Sequence, residues 1–443
     1  IENFNISKFH LNEYPLFIQG LTITKMGAAM ANRELDLLTE EQANAIIEAC
    51  KEILDGKHHD QFPVDMIQGG AGTTTNMNAN EVIANRALEL MGHKRGEYQF
   101  CSPNDAVNRS QSTNDAYPTA IHIGLYYTHL KLVEHFKALI ASFRKKAEEM
   151  AHVVKMGRTQ LEDAVPMTLG QTFNGFASIL EQEVANLNYA AQDFLTVNMG
   201  ATAIGTGITA EPGYAEKCVA ALRQITGLEI RLAEDLVGAT SDTSCMVGYS
   251  GAMRRIAVKM NKICNDLRLL ASGPRCGFGE INLPAMQPGS SIMPGKVNPV
   301  IPEVMNQISY KVIGNDLCVT MSGEAAQMEL NAMEPVMAQC CFESADLFMN
   351  GFDTLRTLCI DGITANEDRC RQEVHDSIGV VTALNPVIGY KNSTKIAKEA
   401  QQTGRGVYEL VLEHDILSKE DLDTILKPEN MIKPVKLDIH PNH

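Results

Sequence analysis

Residues 289–303 read Gly-Ser-Ser-Ile-Met-Pro-Gly-Lys-Val-Asn-Pro-Val-Ile-Pro-Glu. The prolines and glycines of this stretch predict an irregular loop, because proline removes a backbone donor and glycine widens the accessible conformations. Two adjacent serines, Ser290 and Ser291, are followed by Lys296 and Asn298. Backbone N–H groups of such loops turn toward anions, and the lysine adds a full positive charge. We expect the loop to hold a carboxylate and to activate a serine hydroxyl; an ordinary surface loop is the alternative.

The composition is that of an acidic globular protein. The chain has 443 residues, 44% hydrophobic and 21% charged, with a formal net charge of -16. This length suits several domains around a large shared core. The negative charge disfavours nucleic acid or an anionic membrane as the main binding partner.

Cysteine usage indicates a reducing compartment, and hydropathy indicates no membrane span. The 11 cysteines have no paired metal-ligand spacing, so we interpret them as free thiols of a cytoplasmic protein. The adjacent His58 and His59 lack further spaced ligands, so we predict no metal site there. No stretch reaches the length of a membrane span, and no signal peptide is visible.

Hydrophobic periodicity predicts a chain that is almost entirely helical. The expected helices span 15–37, Thr39 to Gly56 with a Thr39–Gln42 capping box, 81–91, 117–152, 168–197, 214–226, 241–272, 300–323, 328–359, and a shorter one starting at Thr364. Ser393 and Ser418 are expected as caps of small C-terminal helices. The last long helix is apolar on several faces, which predicts oligomerisation through helices.

Three further polar patches lie at the ends of predicted helices. They are Gln68–Asn80, with glycines and threonines, Ser110–Asp115, and Gly157–Pro166. Hydroxyl and backbone donors at a helix N-terminus form a natural anion site. Loops with ordinary helix caps are the alternative for each patch taken alone.

The 289–303 loop resembles the signature of the aspartase/fumarase superfamily of lyases, and the resemblance covers nearly the whole chain. The segments that resemble the aspartase branch are 76–85, 159–168, 279–284, 298–307 and 311–315. Family members are all-α proteins of three domains with a central bundle of long helices. The implied division here is an N-terminal helical domain 1–113, a central long-helix domain 114–366 and a small C-terminal domain 367–443.

The resemblance implies deamination of L-aspartate to fumarate and ammonia. Fumarases usually carry a histidine where this chain has Gln160, and glutamine cannot shuttle a proton. The segment Val300–Val304 also resembles the aspartase continuation of the loop. The alternatives are a fumarate hydratase, a lyase acting on a substituted aspartate, or a catalytically silent relative such as a lens protein.

The same resemblance implies a role for each polar patch. Ser290 is the expected base, which takes the proton next to the side-chain carboxylate and leaves an enediolate-like dianion. The expected donors to that carboxylate are Thr73, Ser112, Thr113 and Ser291; those to the other carboxylate are Thr159, Lys296 and Asn298; those to the amino group are Asn114 and Gln160. Loop N–H groups and Lys296 are expected to stabilise the serine alkoxide.

Cofactors and assembly also follow from the resemblance. No redox or carbonyl cofactor is required, activation by a divalent cation such as Mg²⁺ is left open, and no metal-ligand cluster is visible in the sequence. Family members form homotetramers around a twenty-helix bundle, with active sites shared between subunits. We expect the same of this chain, with Lys296 and Arg158 as local cations that draw in the dicarboxylate.

Overall fold

The computed structural model describes residues 1–442 as an all-α fold. The helices are α1 Pro15–Glu34, α2 Glu40–Leu54, α3 Thr73–Leu90, α4 Thr113–Glu149, α5 Leu169–Ala191, α6 Tyr214–Thr226, α7 Leu236–Ser241, α8 Ser244–Leu270, α9 Val300–Glu324, α10 Glu334–Leu358, α11 Glu367–Asp376, α12 Val381–Thr403, α13 Val407–Glu413, α14 Lys419–Ile425 and α15 Pro428–Met431. The longest, α4, has 37 residues, which corresponds to about 55 Å. The predicted all-α class is confirmed.

Six short strands form three two-stranded sheets. They are β1 Val154–Thr159, β2 Glu162–Thr168, β3 Thr196–Val197, β4 Arg231–Leu232, β5 Ile281–Asn282 and β6 Thr364–Ala365. The β1–β2 and β5–β6 pairs are antiparallel, and the β3–β4 pair is parallel. The β1–β2 hairpin matters most for function, because it carries the third polar patch.

The chain divides into two units that are discontinuous in sequence. Unit 1 comprises residues 1–136, 182–258 and 307–350, and unit 2 comprises residues 137–181, 259–306 and 351–443. The division falls within the long helices α4, α5, α8, α9 and α10. The division into three domains at 113 and 366 stays a prediction.

Aromatic and aliphatic side chains of several elements form the core of unit 1. Phe17 of α1 stacks on Phe342 of α10 with ring centroids 5.1 Å apart, and it also contacts Tyr117 of α4. A second cluster joins α1, α4 and α6 around Ile23, Ile123 and other buried side chains. The start of α4 is therefore held from several sides by apolar packing.

Unit 2 has its own apolar clusters. Phe143 of α4 contacts Phe173 and Phe176 of α5. The C-terminal helices α12–α14 enclose a separate cluster that includes Leu384, Leu410 and other residues between Val381 and Ile425. Gly389 interrupts α12 with φ 75° and ψ 159°, so that helix consists of two segments.

Two of the four predicted helix caps are confirmed and two are wrong. Thr39 and Gln42 form the reciprocal capping box at the start of α2, and Ser418 caps α14 as expected. Ser393 is not a cap: it lies within α12, where its hydroxyl donates to the carbonyl oxygen of Gly389 at 3.0 Å. Thr364 lies in β6, and α11 begins at Glu367.

Other predicted helix boundaries compare with the structure as follows: α4 begins at Thr113 and not at 117, and α5 ends at Ala191 and not at 197. The helix expected at 81–91 begins at Thr73, so the threonine-rich patch is helical. The helix expected at 328–359 begins at Glu334, because Gln327 and Leu330 close a tight turn before it. The helix expected at 300–323 is confirmed as α9, so the last residues of the 289–303 stretch are helical; its first turn accommodates Pro302 because first-turn N–H groups lack intrahelical acceptors.

Candidate active site

Thr73 is the first residue of α3 and directly follows a glycine turn. Gly72 adopts φ 93°, and a Cβ atom there would lie 2.4 Å from the ring of Tyr117, so this position requires glycine. The Thr73 hydroxyl donates to the carbonyl oxygen of Gly70 at 2.8 Å, and the side chain is exposed. Its hydroxyl thus stands at a helix N-terminus, where unpaired N–H groups favour an anion.

Ser112, Thr113 and Asn114 form the N-terminal corner of α4. The backbone N–H of Ser112 donates to Asp115 Oδ1 at 2.9 Å, and the N–H of Asn114 donates to Ser112 Oγ at 3.2 Å. The amide of Asn114 donates to the carbonyl oxygen of Ala203 at 2.8 Å. We call residues 112–115 the α4 corner; these bonds fix its backbone and leave the Ser112 hydroxyl proton available for donation.

Asp115 ties the α4 corner to a glycine-containing loop. The carboxylate is 0% exposed and accepts N–H groups from Gly200 at 3.1 Å and Thr202 at 3.0 Å. Burial raises the pKa of Asp115 to about 6, although the three backbone hydrogen bonds act in the opposite direction. At neutral pH it therefore remains a carboxylate.

A buried lysine supports the Thr113 hydroxyl. Lys25 is 0% exposed, and its Nζ donates to Asn76 Oδ1 at 2.6 Å and to Gln111 Oε1 at 2.8 Å. Asn76 in turn donates from Nδ2 to Thr113 Oγ1 at 3.2 Å. The threonine oxygen is thereby used as an acceptor, so its proton is free to point toward a bound anion. Burial lowers the pKa of Lys25 to about 7.

Thr159 and Gln160 lie at the tip of the β1–β2 hairpin. Thr159 pairs with Glu162, so Gln160 and Leu161 form a two-residue turn. Both turn residues have positive φ, 56° and 66°, which is the geometry of a type I′ hairpin. The sequence predicted a polar patch at this place but no hairpin. Both Thr159 and Gln160 are exposed, as binding residues at a loop tip must be.

An ion cluster anchors this hairpin within unit 2. Arg158 forms ion pairs with Glu280 and Glu373, and Lys155 reaches Glu280 at 3.1 Å. The Arg158 guanidinium also lies 4.2 Å from the centroid of the Phe278 ring. The expectation that Arg158 draws in a dicarboxylate is therefore wrong, because two carboxylates already neutralise its charge.

The signature loop presents Ser290 in a backbone cradle. Ser290 Oγ accepts N–H groups from Met293 at 3.1 Å and Ile292 at 3.3 Å. Asn298 Nδ2 donates to the Gly289 carbonyl oxygen at 2.7 Å and closes the base of the loop. Two N–H donors on one hydroxyl oxygen favour its negatively charged form, which a serine acting as a base requires.

Ser291 and Lys296 occupy the exposed part of the same loop. Both side chains are exposed, and within residues 1–442 the Lys296 ammonium has no ion pair or hydrogen bond. A lysine in this state is available for a substrate carboxylate. Its predicted second contribution, to the Ser290 alkoxide, is carried in this conformation by backbone N–H groups and not by a direct contact.

The ten predicted residues thus fall at four places. Unit 1 holds Thr73 and the three residues of the α4 corner, and unit 2 holds the two hairpin residues and the four loop residues. Sequence reasoning missed Lys25, and it placed Asn76 and Asp115 in polar patches without a role in holding the α4 corner. One signal was present: Lys25 lies at helical spacing between the apolar Leu21 and Ala28, on the face that is buried.

Metal ligands and membrane spans were also sought in the described part of the chain. Within residues 1–442, no group of three or more His, Cys, Asp or Glu side chains is arranged to hold a metal ion. None of the helices in that range combines the length and apolar character needed to cross a membrane.

Family models match most of the chain. A lyase family model matches residues 2–314, and a model of the fumarase C C-terminus matches residues 380–433. The first of these alone spans more than half of the chain and includes all ten predicted site residues.

Proteins of known name are similar to this chain over almost its full length. The aspartate ammonia-lyase of Pseudomonas canavaninivorans is 57% identical over 98% of this chain and 92% of its own. The aspartate ammonia-lyase of Helicobacter pylori is 55% identical over 98% and 92%. The crystal structure of a fumarate lyase/delta crystallin from Brucella melitensis bound to cobalt has a TM-score of 0.95 at 50% identity, over 98% of this chain and 94% of that one. The chain belongs to the aspartase/fumarase superfamily of lyases.

Proposed function

We propose that this protein is an aspartate ammonia-lyase, a carbon–nitrogen lyase that converts L-aspartate reversibly to fumarate and ammonia. The observation that carries the proposal is the cradle around Ser290, whose Oγ accepts two backbone N–H groups in the signature loop. The near full-length similarity to curated aspartate ammonia-lyases supports the same activity.

In the proposed mechanism, Ser290 removes a proton from the carbon next to the side-chain carboxylate of L-aspartate. The electrons move into that carboxylate and form an aci-carboxylate dianion. Thr73, Ser112, Thr113 and Ser291 donate hydrogen bonds to it, and Thr73 first turns its hydroxyl away from the carbonyl oxygen of Gly70. Donors that are fixed before the reaction stabilise such charge most strongly, and each contributes about 10²–10³ in kcat. The fixed α4 corner fits this requirement.

The remaining polar groups bind the second carboxylate and the amino group of the substrate. Thr159, Lys296 and Asn298 bind the second carboxylate, and Asn114 with Gln160 orients the amino group. Collapse of the dianion then breaks the carbon–nitrogen bond, and ammonia leaves. The unpaired, exposed Lys296 supports the first assignment, and the exposed position of Gln160 at a hairpin tip supports the second. The chemistry requires no redox or carbonyl cofactor; activation by Mg²⁺ stays a prediction.

We also propose that the active site is shared between copies of the chain in a homotetramer. One side of α9 supports this assembly: Tyr310, Leu317 and Met321 lie on one face and are 60%, 61% and 62% exposed. Large apolar side chains at such spacing are typical of helices that pack on a neighbour. Leu317→Lys should therefore shift the species seen by light scattering to smaller mass, whereas the exposed control Lys51→Met should not.

The activity is tested with two substrates. Incubation with L-aspartate should release fumarate, followed by its absorbance, together with equal amounts of ammonia. Incubation with L-malate should give no fumarate, because Gln160 cannot relay the proton of a water molecule. Fumarate from malate alone would indicate a fumarate hydratase. The absence of fumarate from both would reject the proposal in favour of a substituted substrate or a silent relative.

A further inference from the structure

A cavity of about 290 Å³ lies in unit 1 beside the early turns of α4. Its walls include Pro118 and His122 of α4, the segment 196–198, the segment 242–246 and Glu334 of α10. Three carboxylates line the cavity, those of Asp193, Asp242 and Glu334, and none of its lining residues is a lysine or arginine. The lining therefore carries an excess of negative charge, which favours a cationic occupant.

The buried carboxyl group of Glu334 is a second, independent indication of a cationic ligand. It is 3% exposed, and within residues 1–442 its carboxyl group has no ion pair and no hydrogen bond, although it lines the cavity. A buried carboxyl group is costly unless a protein group, a water molecule or a ligand pairs with it. Burial raises the pKa of Glu334 to about 8. A ligand that donates hydrogen bonds and carries positive charge would remove this cost.

The neighbouring His122 does not supply that charge. Its Nδ1 lies 2.9 Å from the carbonyl oxygen of Thr196 and must donate to it, so Nε2 keeps a lone pair. That lone pair accepts the thiol of Cys245, with Sγ 3.1 Å from Nε2. Burial lowers the pKa of His122, which agrees with a neutral ring. Imidazole and thiol thus satisfy each other and leave the Glu334 carboxylate unpaired.

The two aspartates extend the negative potential to the exposed side of the cavity. Asp193 and Asp242 are both exposed. The Asp242 carboxylate accepts the N–H of Ser244 at 3.0 Å and its hydroxyl at 2.7 Å, which fixes its position. A cation that enters from this side would pass exposed carboxylates before it reaches the buried one.

We infer that this cavity is a binding site for ammonium or a short primary ammonium ion, with the Glu334 carboxylate as its counter-ion. Glu334 is the one buried carboxylate among the lining residues, and a single buried carboxylate suits a monovalent ion that donates hydrogen bonds. A divalent metal ion prefers six or more oxygen ligands, often from several carboxylates. The volume accommodates such an ion together with a few water molecules.

The position of the cavity connects it with ammonia release, and this part alone rests on the proposed function. Asn198 lines the cavity, and its Nδ2 donates to the backbone carbonyl oxygen of Asn114 at 3.0 Å. Asn114 is the residue of the α4 corner that we propose to orient the amino group of the substrate. The cavity therefore lies directly behind the place where ammonia leaves, and it offers ammonium a holding site there.

Binding is tested on the full chain without aspartate. Methylammonium is the probe, because saturation-transfer NMR detects its methyl group, and methanol serves as a neutral molecule of similar size. We expect saturable binding of methylammonium at pH 9, competed by ammonium chloride but not by sodium chloride, and no comparable binding of methanol. Equal signals for methylammonium and methanol, or no competition by ammonium, would overturn the inference.

The decisive variant is Glu334→Gln, which keeps the shape of the side chain and removes its charge. We expect its affinity for methylammonium to fall about tenfold or more, which corresponds to about 1.4 kcal/mol. The matched control is Asp346→Asn, a charge-removing change elsewhere on α10 outside the cavity, which should bind as the wild type does. Unchanged affinity in Glu334→Gln would overturn the inference. The aspartate assay is separate, so this site stands or fails independently of the proposed activity.

Discussion

The α4 corner and the signature loop present similar hydroxyl groups in opposite surroundings. The corner rests on buried polar groups: Asp115 and Lys25 are both 0% exposed and hold its backbone and the Thr113 hydroxyl. In the loop, residues 291–297 are all exposed, and the closure between Asn298 and Gly289 holds its base. The corner is built to stabilise charge at a fixed position, whereas the loop can move its serine without disturbing a core.

The largest expected effect concerns the loop, where a substitution should lower activity without changing stability. Ser290→Ala should lower kcat by about 10²–10⁴, the usual contribution of a positioned base, because no neighbouring group replaces the hydroxyl. The thermal unfolding midpoint should stay unchanged, since the side chain contacts only N–H groups of an exposed loop. Activity near that of the wild type would remove Ser290 as the base; circular dichroism controls for folding.

The second prediction also concerns the loop. Lys296→Ala should raise KM for L-aspartate by about 10–100-fold, since hydrogen bonds to charged groups contribute about 1.5–3 kcal/mol. Stability should not change, because the side chain is exposed and unpaired within residues 1–442. Steady-state kinetics provide the measurement, and Lys51→Met serves as a control on an exposed lysine far along the sequence. An unchanged KM would contradict the assigned carboxylate contact.

The third prediction probes the α4 corner, where stability and activity should change together. Lys25→Met leaves the oxygens of Asn76 and Gln111 without their donor. Each unsatisfied buried acceptor costs about 1–3 kcal/mol, so the free energy of unfolding should fall by that order. The kcat should fall as well, because Asn76 no longer orients Thr113. Urea denaturation and kinetics measure the two effects; loss of activity at full stability would show that the corner is not held in this way.

The last prediction concerns the pH dependence of stability at Glu334. Its folded-state pKa of about 8 lies above the ordinary value of 4.5, so its contribution to stability is complete below pH 4.5 and is lost as the pH rises through about 8. Tyr117 and Cys245 face it and stay neutral, because burial raises the pKa of both side chains. His122, Asp193 and Asp242 line the same cavity.

Glu334→Gln removes this titration. The variant should therefore lose less stability than the wild type between pH 6 and pH 9, measured by thermal unfolding in a buffer without ammonium. The control is Glu329→Gln, which removes an exposed carboxylate close to Glu334 in sequence. Parallel pH curves for the wild type and Glu334→Gln would contradict the raised pKa and show that solvent reaches the carboxylate freely.

The helical architecture and the identity of the signature loop could be predicted from local sequence alone. Helix ends such as the Thr39–Gln42 capping box depend on contacts three residues apart, and the apolar repeat of a long helix is visible in its own residues. The serine, lysine and asparagine of the loop lie within one short stretch of sequence, so a resemblance to a family signature identifies them. These features needed no knowledge of how distant segments pack.

The features that could not be predicted from the sequence depend on packing between distant segments. The β1–β2 hairpin around Thr159 owes its anchoring to Glu280 and Glu373, which lie more than a hundred residues along the chain. Lys25 becomes part of the α4 corner only because Asn76 and Gln111 converge on it in the fold. Helical periodicity is a local property of the backbone, whereas the pairing of buried charges depends on which segments share the same desolvated space.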